Sequence, residues 1–238
     1  MIIDIITIFP EMFTSFLSTS IVKRAIELEQ ITVNLHQLRD YSHNKHRNID
    51  DTPYGGGVGM LMTFPPIYDA IMSFKKENTK VIYLSPQGPI LNQSMAFDLA
   101  KNEHLILLCG HYEGVDNRVL ELVDYEISIG DYILTGGELP VMILIDVLAR
   151  LVPGVILEES VVEDSLTDGL LKYPQYTKPR SYKGYDVPDV LLSGHHEEIA
   201  KWRNKMSLIT TYKKRPDLLE KKDLTEEELL IVKSVKEK

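Results

Sequence analysis

The sequence predicts an α/β fold built on a largely parallel sheet, followed by a small all-helical C-terminal domain. Three observations carry this. Short apolar runs, among them residues 2–9 (IIDIITIF) and 104–110 (HLILLCG), have the length and composition of buried strands. Helical patterns alternate with such runs over the first ~155 residues, the order that generates βαβ units. From Tyr176 the character changes to a loop rich in tyrosine and basic residues, then to helix.

Taken in order, residues 2–9 are the first strand, closed by Pro10. Residues 12–29 (MFTSFLSTSIVKRAIELE) read as one helix, and residues 31–40 (ITVNLHQLRD) as an alternating second strand. Residues 41–62 are polar and basic, then glycine-rich, without an apolar period; this is expected to be a long loop, a kind that is often functional inside a compact domain. Residues 64–75 form a helix opened by Pro65 and Pro66. Residues 80–86 are a strand ending in a turn at Gln87-Gly88-Pro89, and Asn92 caps a helix over 92–101. HLILLCG is the most apolar strand; HYEGVDNRVLELV follows as loop and helix, and YEISIGDYIL repeats strand then loop. A helix over 137–151 has Pro140 near its first turn and Pro153-Gly154 at its end. Residues 158–174 are acidic and aperiodic and read as a linker, and residues 195–238 as helix broken at Pro216. The expected organisation is therefore a domain over 1–157, a linker over 158–175 and a helical domain over 176–238.

The bulk properties bound the function. At 238 residues and 44% hydrophobic, the chain can bury a sizeable core. No apolar run approaches the ~20 residues of a membrane helix, and the N-terminus has neither the basic start nor the cleavage site of a signal peptide. A cytoplasmic protein without a membrane partner is expected. The one cysteine, Cys109, excludes internal disulfides and a multi-cysteine zinc site. The net charge of −9 argues mildly against nucleic acid, although the placement of the cations decides that question.

Ligands of parallel sheets bind outside the carboxyl ends of the strands, so the loops after Leu84, Cys109 and Ile129 should meet at one site. The stretch ISIGDYILTGGELP (residues 127–140) sets three glycines among Ile129, Tyr132, Ile133 and Leu134. That composition suits a flat heterocycle held by backbone amides and apolar walls, and equally a tight loop between buried elements. GGGVGM (residues 55–60) lacks the Lys-Ser/Thr of a phosphate-binding loop, and no Gly-x-Gly-x-x-Gly follows the first strand. His43, His46 and Arg47 lie in a basic loop, as solvated side chains or a metal site. Arg150, one turn after Asp146, is either an i,i+4 ion-pair partner or a guanidinium aimed at a site. Asp164, beside Glu163 in the linker, is either solvated or folded over a neighbouring pocket. KWRNK (201–205) and YKKRP (212–216) are either a solvated helix surface or an RNA-backbone face.

IFPEMF, PYGGGVGMLM, VIYLSPQG, LLCGHYEGVDNRV, SIGDYILTGGELPVMILID, VPGV, EDSLTDGLL, PQYTKPR, LLSGHHEEIAKWR and KRPDLLE follow one another in an order that closely resembles the bacterial tRNA (guanine-N1-)-methyltransferase family, over nearly the whole chain. The resemblance implies a SPOUT-type methyltransferase whose sheet domain threads into a trefoil knot, a topology that spacing alone does not suggest. It implies an S-adenosylmethionine pocket on residues 83–86, 110–113 and 129–140. Its members there are Tyr83, Leu84, Ser85, Pro86, Gly110, Tyr112, Glu113, Ile129, Gly130, Asp131, Tyr132, Ile133, Leu134, Gly136, Gly137 and Pro140. The resemblance further implies a homodimer with the site at the subunit interface, a tRNA substrate, and 1-methylguanosine just 3′ of the anticodon as product. The catalytic roles fall to Arg150 and to Asp164 from the partner's linker. Gly55, Gly56, Gly57, His195, His196, Lys201, Trp202 and Arg203 are candidate tRNA contacts. Magnesium dependence is also implied, without a ligand cluster in the sequence to locate it. Lys172 stands where many members carry an acidic residue. The alternatives are a related SPOUT enzyme acting on ribosomal RNA and a non-catalytic RNA-binding module that retains the fold.

Overall fold

In the computed structural model, residues 1–157 and 164–236 are described, and the expected linker residues 158–163, Glu163 included, lie outside them. The chain divides into two compact units, Met1–Glu158 and Glu159–Lys238.

The first unit is organised on a five-stranded sheet of β1 (Ile2–Thr7), β2 (Thr32–Gln37), β5 (Thr79–Leu84), β6 (His104–Leu108) and β7 (Tyr125–Ile127) in the order β2-β1-β6-β5-β7, all neighbours parallel. β6 is buried along its whole length between β1 and β5, with His104 opposite both Ile2 and Thr79. That position explains its unbroken apolar run. Side chains alternate between two cores. Ile3, Ile5, Ile82, Leu105 and Leu107 face one, with Val141, Leu144 and Leu148. Ile6, Val81, Ile106 and Leu108 face the other, with Ile67, Ala70 and Ile71. The helices supplying these layers are α2 (Ser20–Glu27), α3 (Phe64–Phe74), α4 (Gln93–Ala100) and α5 (Glu138–Leu151). Asn92 caps α4 by accepting from the Met95 amide at 3.0 Å.

The single helix expected over residues 12–29 is instead a 3₁₀ turn (Pro10–Phe13), a short α1 (Thr14–Leu17) and α2. The break has a local cause. Ser18 Oγ and Thr19 Oγ1 both donate to the Ser15 carbonyl at 3.0 Å, and Thr19 is extended. Hydroxyl side chains thus compete with the helical ladder. The long loop contains one short antiparallel pair, β3 (Asp50–Asp51) with β4 (Leu61–Met62). It is tied to the loop after β6: Met62 N donates to Gly114 O and Asp116 N to Met62 O, both at 2.9 Å.

The second unit holds α6 (His196–Lys214), α7 (Pro216–Leu219) and α8 (Glu226–Lys236) around Leu170, Leu208, Leu219 and Val232. The segment expected to be loop-like carries a two-stranded hairpin, β8 (Ser181–Tyr182) with β9 (Tyr185–Asp186), so this unit is not purely helical. Positive φ at Lys183 and Gly184 provides its two-residue turn.

Candidate active site

The carboxyl ends of β5, β6 and β7 open into one cleft of about 320 Å³, within the range of small-molecule sites. The chain places β6 on one side of β5 and β7 on the other, a switch point at whose carboxyl end a crevice forms. Tyr83 to Pro86 form one wall, Gly110, Tyr112 and Glu113 a second, and Ile129, Gly130, Tyr132, Ile133, Leu134, Gly136, Gly137 and Pro140 a third. Asp131 stands outside this lining: Tyr132 N donates to Gly130 O at 3.0 Å, which puts Asp131 at the apex of a tight turn, exposed. Gln87, Glu126 and Ser128 add polar groups that the motif reading did not single out. Burial, and then the charge of Glu126, push the Tyr83 hydroxyl up to about 12, so it remains a neutral phenol at physiological pH.

The glycines set the shape of the cleft by what they omit. A Cβ on Gly137 would stand 2.7 Å from both Cys109 Cα and Gly110 N. Gly137 N donates to Gly110 O at 2.8 Å, so the start of α5 is drawn directly onto the end of β6. A Cβ on Gly136 would collide with the His111 ring. Close backbone approach at the glycines, apolar side chains from Ile129, Ile133 and Leu134, and polar groups from Gln87, Glu113, Glu126 and Ser128 share the lining. A mixed lining of this kind suits a flat heterocycle held between apolar walls.

Below this floor lies a chain of buried polar groups that spacing did not reveal. Thr7 Oγ1, at the end of β1, donates to Glu138 Oε1 at 2.6 Å, and Glu138 Oε2 is 2.6 Å from His111 Nε2. The Glu138 side chain is only 1% exposed and that of His111 10%. Glu138 is the first residue of α5, where the helix dipole favours an anion. Burial, then the Glu138 charge, hold the Cys109 thiol well above its ordinary range, which leaves it an inert core group.

The remaining expected site residues belong to both units. Arg150 is half-buried in the last turn of α5, in the first unit, and Asp164 is half-buried at the start of the described part of the second. Gly55, Gly56 and Gly57 all have positive φ on an exposed loop outside the cleft, beside the fully exposed Tyr54. His195 and His196 are exposed at the start of α6. Lys201 pairs with Glu197 at 3.2 Å and Glu198 at 3.4 Å, and these carboxylates raise its pKa. Trp202 lies 6.4 Å from Tyr176, and Arg203 stacks 4.8 Å over Tyr173. Among the described residues, no group of three or more His, Cys, Asp or Glu side chains could hold a metal ion.

A profile of the family described as tRNA (Guanine-1)-methyltransferase TrmD matches residues 1–221. The chain belongs to the tRNA (guanine-1)-methyltransferase family. Proteins named tRNA (guanine-N(1)-)-methyltransferase align along nearly all of it. That of Aster yellows witches'-broom phytoplasma (strain AYWB) is 56% identical over 238 residues, covering 100% of this chain and 98% of the relative. That of Moorella thermoacetica is 55% identical over 232 residues, with 95% and 93% covered. That of Dictyoglomus turgidum is 52% identical over 235 residues, with 98% and 96% covered. The cleft, Arg150 and Asp164 all fall inside the matched span, and no helix among the described residues is long and apolar enough to cross a membrane.

Proposed function

We propose that this tRNA (guanine-1)-methyltransferase family member transfers a methyl group from S-adenosylmethionine to N1 of the guanosine immediately 3′ of the anticodon, position 37 of tRNA. The observation that carries the reading is the glycine-lined cleft at the ends of β5, β6 and β7, in a chain matched by the family over residues 1–221. The cleft fits the donor: its volume suits a nucleoside-sized ligand, and Gly110, Gly136 and Gly137, whose missing side chains let its walls pack closely on one another, are part of its lining. Ile129, Tyr132 and Leu134 supply the apolar wall. When bound, S-adenosylmethionine supplies a methyl group already activated on a sulfonium.

The residues then have distinct tasks. Guanine N1 carries a proton and is a poor nucleophile while it does, so a base must remove that proton as the N–CH₃ bond forms. Asp164 takes it. Negative charge develops on O6 as the N1 proton leaves, where the Arg150 guanidinium holds it until N1 takes the methyl group; the S–CH₃ bond breaks as the N–CH₃ bond forms, and S-adenosylhomocysteine departs as the neutral thioether. The base leaves its stack to reach the cleft.

We assign Asp164 to the partner subunit, so that each site of a homodimer is completed by the other copy. Exposed apolar side chains near the cleft support a second copy: Leu139 and Ile143 are 50% and 43% exposed one turn apart on α5, and Ile133 is 82% exposed. Apolar surface of this kind usually marks an interface. The family's trefoil knot is part of the same proposal, as are a donor-binding role for residues 1–157, a linker over 158–175 and tRNA contact by residues 176–238. The bridge from His111 to Gly136 sets side by side two of the loops that the proposed knot would involve. Action on tRNA places the enzyme in the cytoplasm, and magnesium dependence is part of the same proposal.

The test is methyl transfer from labelled donor to two tRNA transcripts that differ only in guanosine or adenosine 3′ of the anticodon. Labelling of the guanosine transcript alone supports the reading, and equal labelling of both, or of neither, refutes it. Labelling of ribosomal RNA in its place would favour the related SPOUT activity.

A further inference from the structure

Glu138 is a carboxylate placed where carboxylates are expensive. It is 1% exposed, and an ionised group so deep needs partners for both oxygens. It has them: Thr7 Oγ1 at 2.6 Å on one oxygen and His111 Nε2 at 2.6 Å on the other. Thr7 is anchored in turn, its hydroxyl accepting from the Phe9 amide at 2.9 Å. The chain runs from the sheet, through the first residue of α5, to a ring on the wall of the cleft. Neither Arg150 nor Asp164 takes part in it.

What this chain holds is the relation between two walls. His111 follows Gly110 and precedes Tyr112 and Glu113, all of which line the cleft. Its backbone bridges Gly136 across the cleft floor, and its backbone amide donates to Met62 Sδ at 3.1 Å. Phe9 meets the ring edge-on at 5.2 Å between centroids. The ring therefore packs where any side chain on Gly136 would intrude. With Nε2 committed to the carboxylate, the ring's orientation is fixed. An apolar residue at position 138 would leave His111 to rotate out of the gap below Gly136, loosening both turns at once.

We infer that Glu138 is a positioning residue of the methyl-donor site, acting through His111 to set the spacing between the Gly110 and Gly136-Gly137 turns. The inference rests on the reading of this cleft as the donor site. It assigns no role to Glu138 in proton removal or in tRNA contact.

A double-mutant cycle on donor binding tests it. Calorimetry with S-adenosylhomocysteine is run on the full-length wild type, Glu138→Ala, His111→Ala and the double variant, alongside KM for donor and for tRNA. Because Glu138 acts through His111, each single variant should lose roughly tenfold in affinity, and the double variant should lose no more than either. KM for the donor should rise by a similar factor while KM for tRNA stays at its wild-type value, a split that general loosening of the fold would not give. Should Glu138→Ala fail to fold, the cycle is run with Glu138→Gln, which keeps the shape, and Thr7→Val, which removes the other partner; the same non-additivity with His111→Ala is expected. Losses that multiply to about a hundredfold, or unchanged affinity in the Glu138 variants, would overturn the inference. If the wild type binds no S-adenosylhomocysteine, the donor-site reading falls and takes this inference with it. If it binds and the losses multiply, only this inference falls.

Discussion

Replacing Gly137 by alanine isolates the close approach that shapes the cleft. The backbone there, φ −80° and ψ −8°, suits any residue, so alanine adds no dihedral strain. It adds one methyl, 2.7 Å from Cys109 Cα and from Gly110 N. Those are backbone atoms at the end of the fully buried β6, and relief to an ordinary contact requires α5 and β6 to part by ~0.7 Å, stretching the Gly137 N to Gly110 O bond from 2.8 Å. Overpacking of this size costs about 1–3 kcal/mol. For a chain of this length, that corresponds to a fall in Tm of roughly 2–12 °C. The same movement displaces two walls of the cleft, so S-adenosylhomocysteine affinity should fall at least about tenfold. Gly154→Ala is the control. Its φ of +82° penalises a side chain by ~1–2 kcal/mol, but nothing lies within 4 Å of its Cβ and it is not in the cleft lining. Gly154→Ala should therefore lower Tm with donor affinity unchanged. Thermal unfolding and calorimetry read both quantities. Wild-type Tm and affinity in Gly137→Ala would refute the reasoning, as would equal loss of affinity in both variants.

Other consequences follow from the same structure. Asp164→Ala should lose roughly 10²–10⁴-fold in single-turnover methyl transfer and keep donor affinity within about twofold, since the residue acts on the base and not on the donor; near-normal turnover would assign the proton to another group. Arg150→Ala should likewise spare donor binding while slowing transfer by about 10²-fold or more, and a purely donor-side defect would remove Arg150 from the O6 role. Asp4 supplies a pH-dependent contribution to stability. Burial pushes its carboxyl up, but bonds from His36 at 2.7 Å, His104 at 2.6 Å and Asn34 at 2.9 Å together leave it below the ordinary value. A depressed folded pKa gives stability that is present above the unfolded value of ~3.9 and is lost as pH falls through the folded one. Asp4→Asn should therefore flatten the urea midpoint between about pH 5 and 2 relative to wild type, and an unchanged slope there would contradict this account of the network.

What could be read from the sequence follows from how local each cause is. β6 announces itself because burial on both faces demands an unbroken apolar run. The convergence of the loops after β5, β6 and β7 follows from parallel pairing alone. The break at Ser18 and Thr19 escaped the periodicity because hydroxyls bonding back to Ser15 leave the apolar spacing intact. The hairpin at Tyr182 and Tyr185 is too short to show an alternation, although Lys-Gly at its turn is a usable cue. The Thr7–Glu138–His111 chain was invisible in principle: its members are 131 and 27 residues apart, and a glutamate opening a helix reads as an ordinary solvated first turn. Arg150 stands out as a charge in an apolar helix, Asp164 does not stand out within its acidic stretch, and the roles proposed for both follow from the resemblance rather than from spacing.

The claim on which the mechanism depends is that each site draws its arginine and its aspartate from different copies of the chain. Mixing Arg150→Ala with Asp164→Ala protein, after unfolding and refolding together, measures this directly. Random pairing gives half the dimers as hybrids, and in each hybrid one site regains both side chains, so activity should return to about a quarter of wild type. A mixture as inactive as its two components would contradict the shared site.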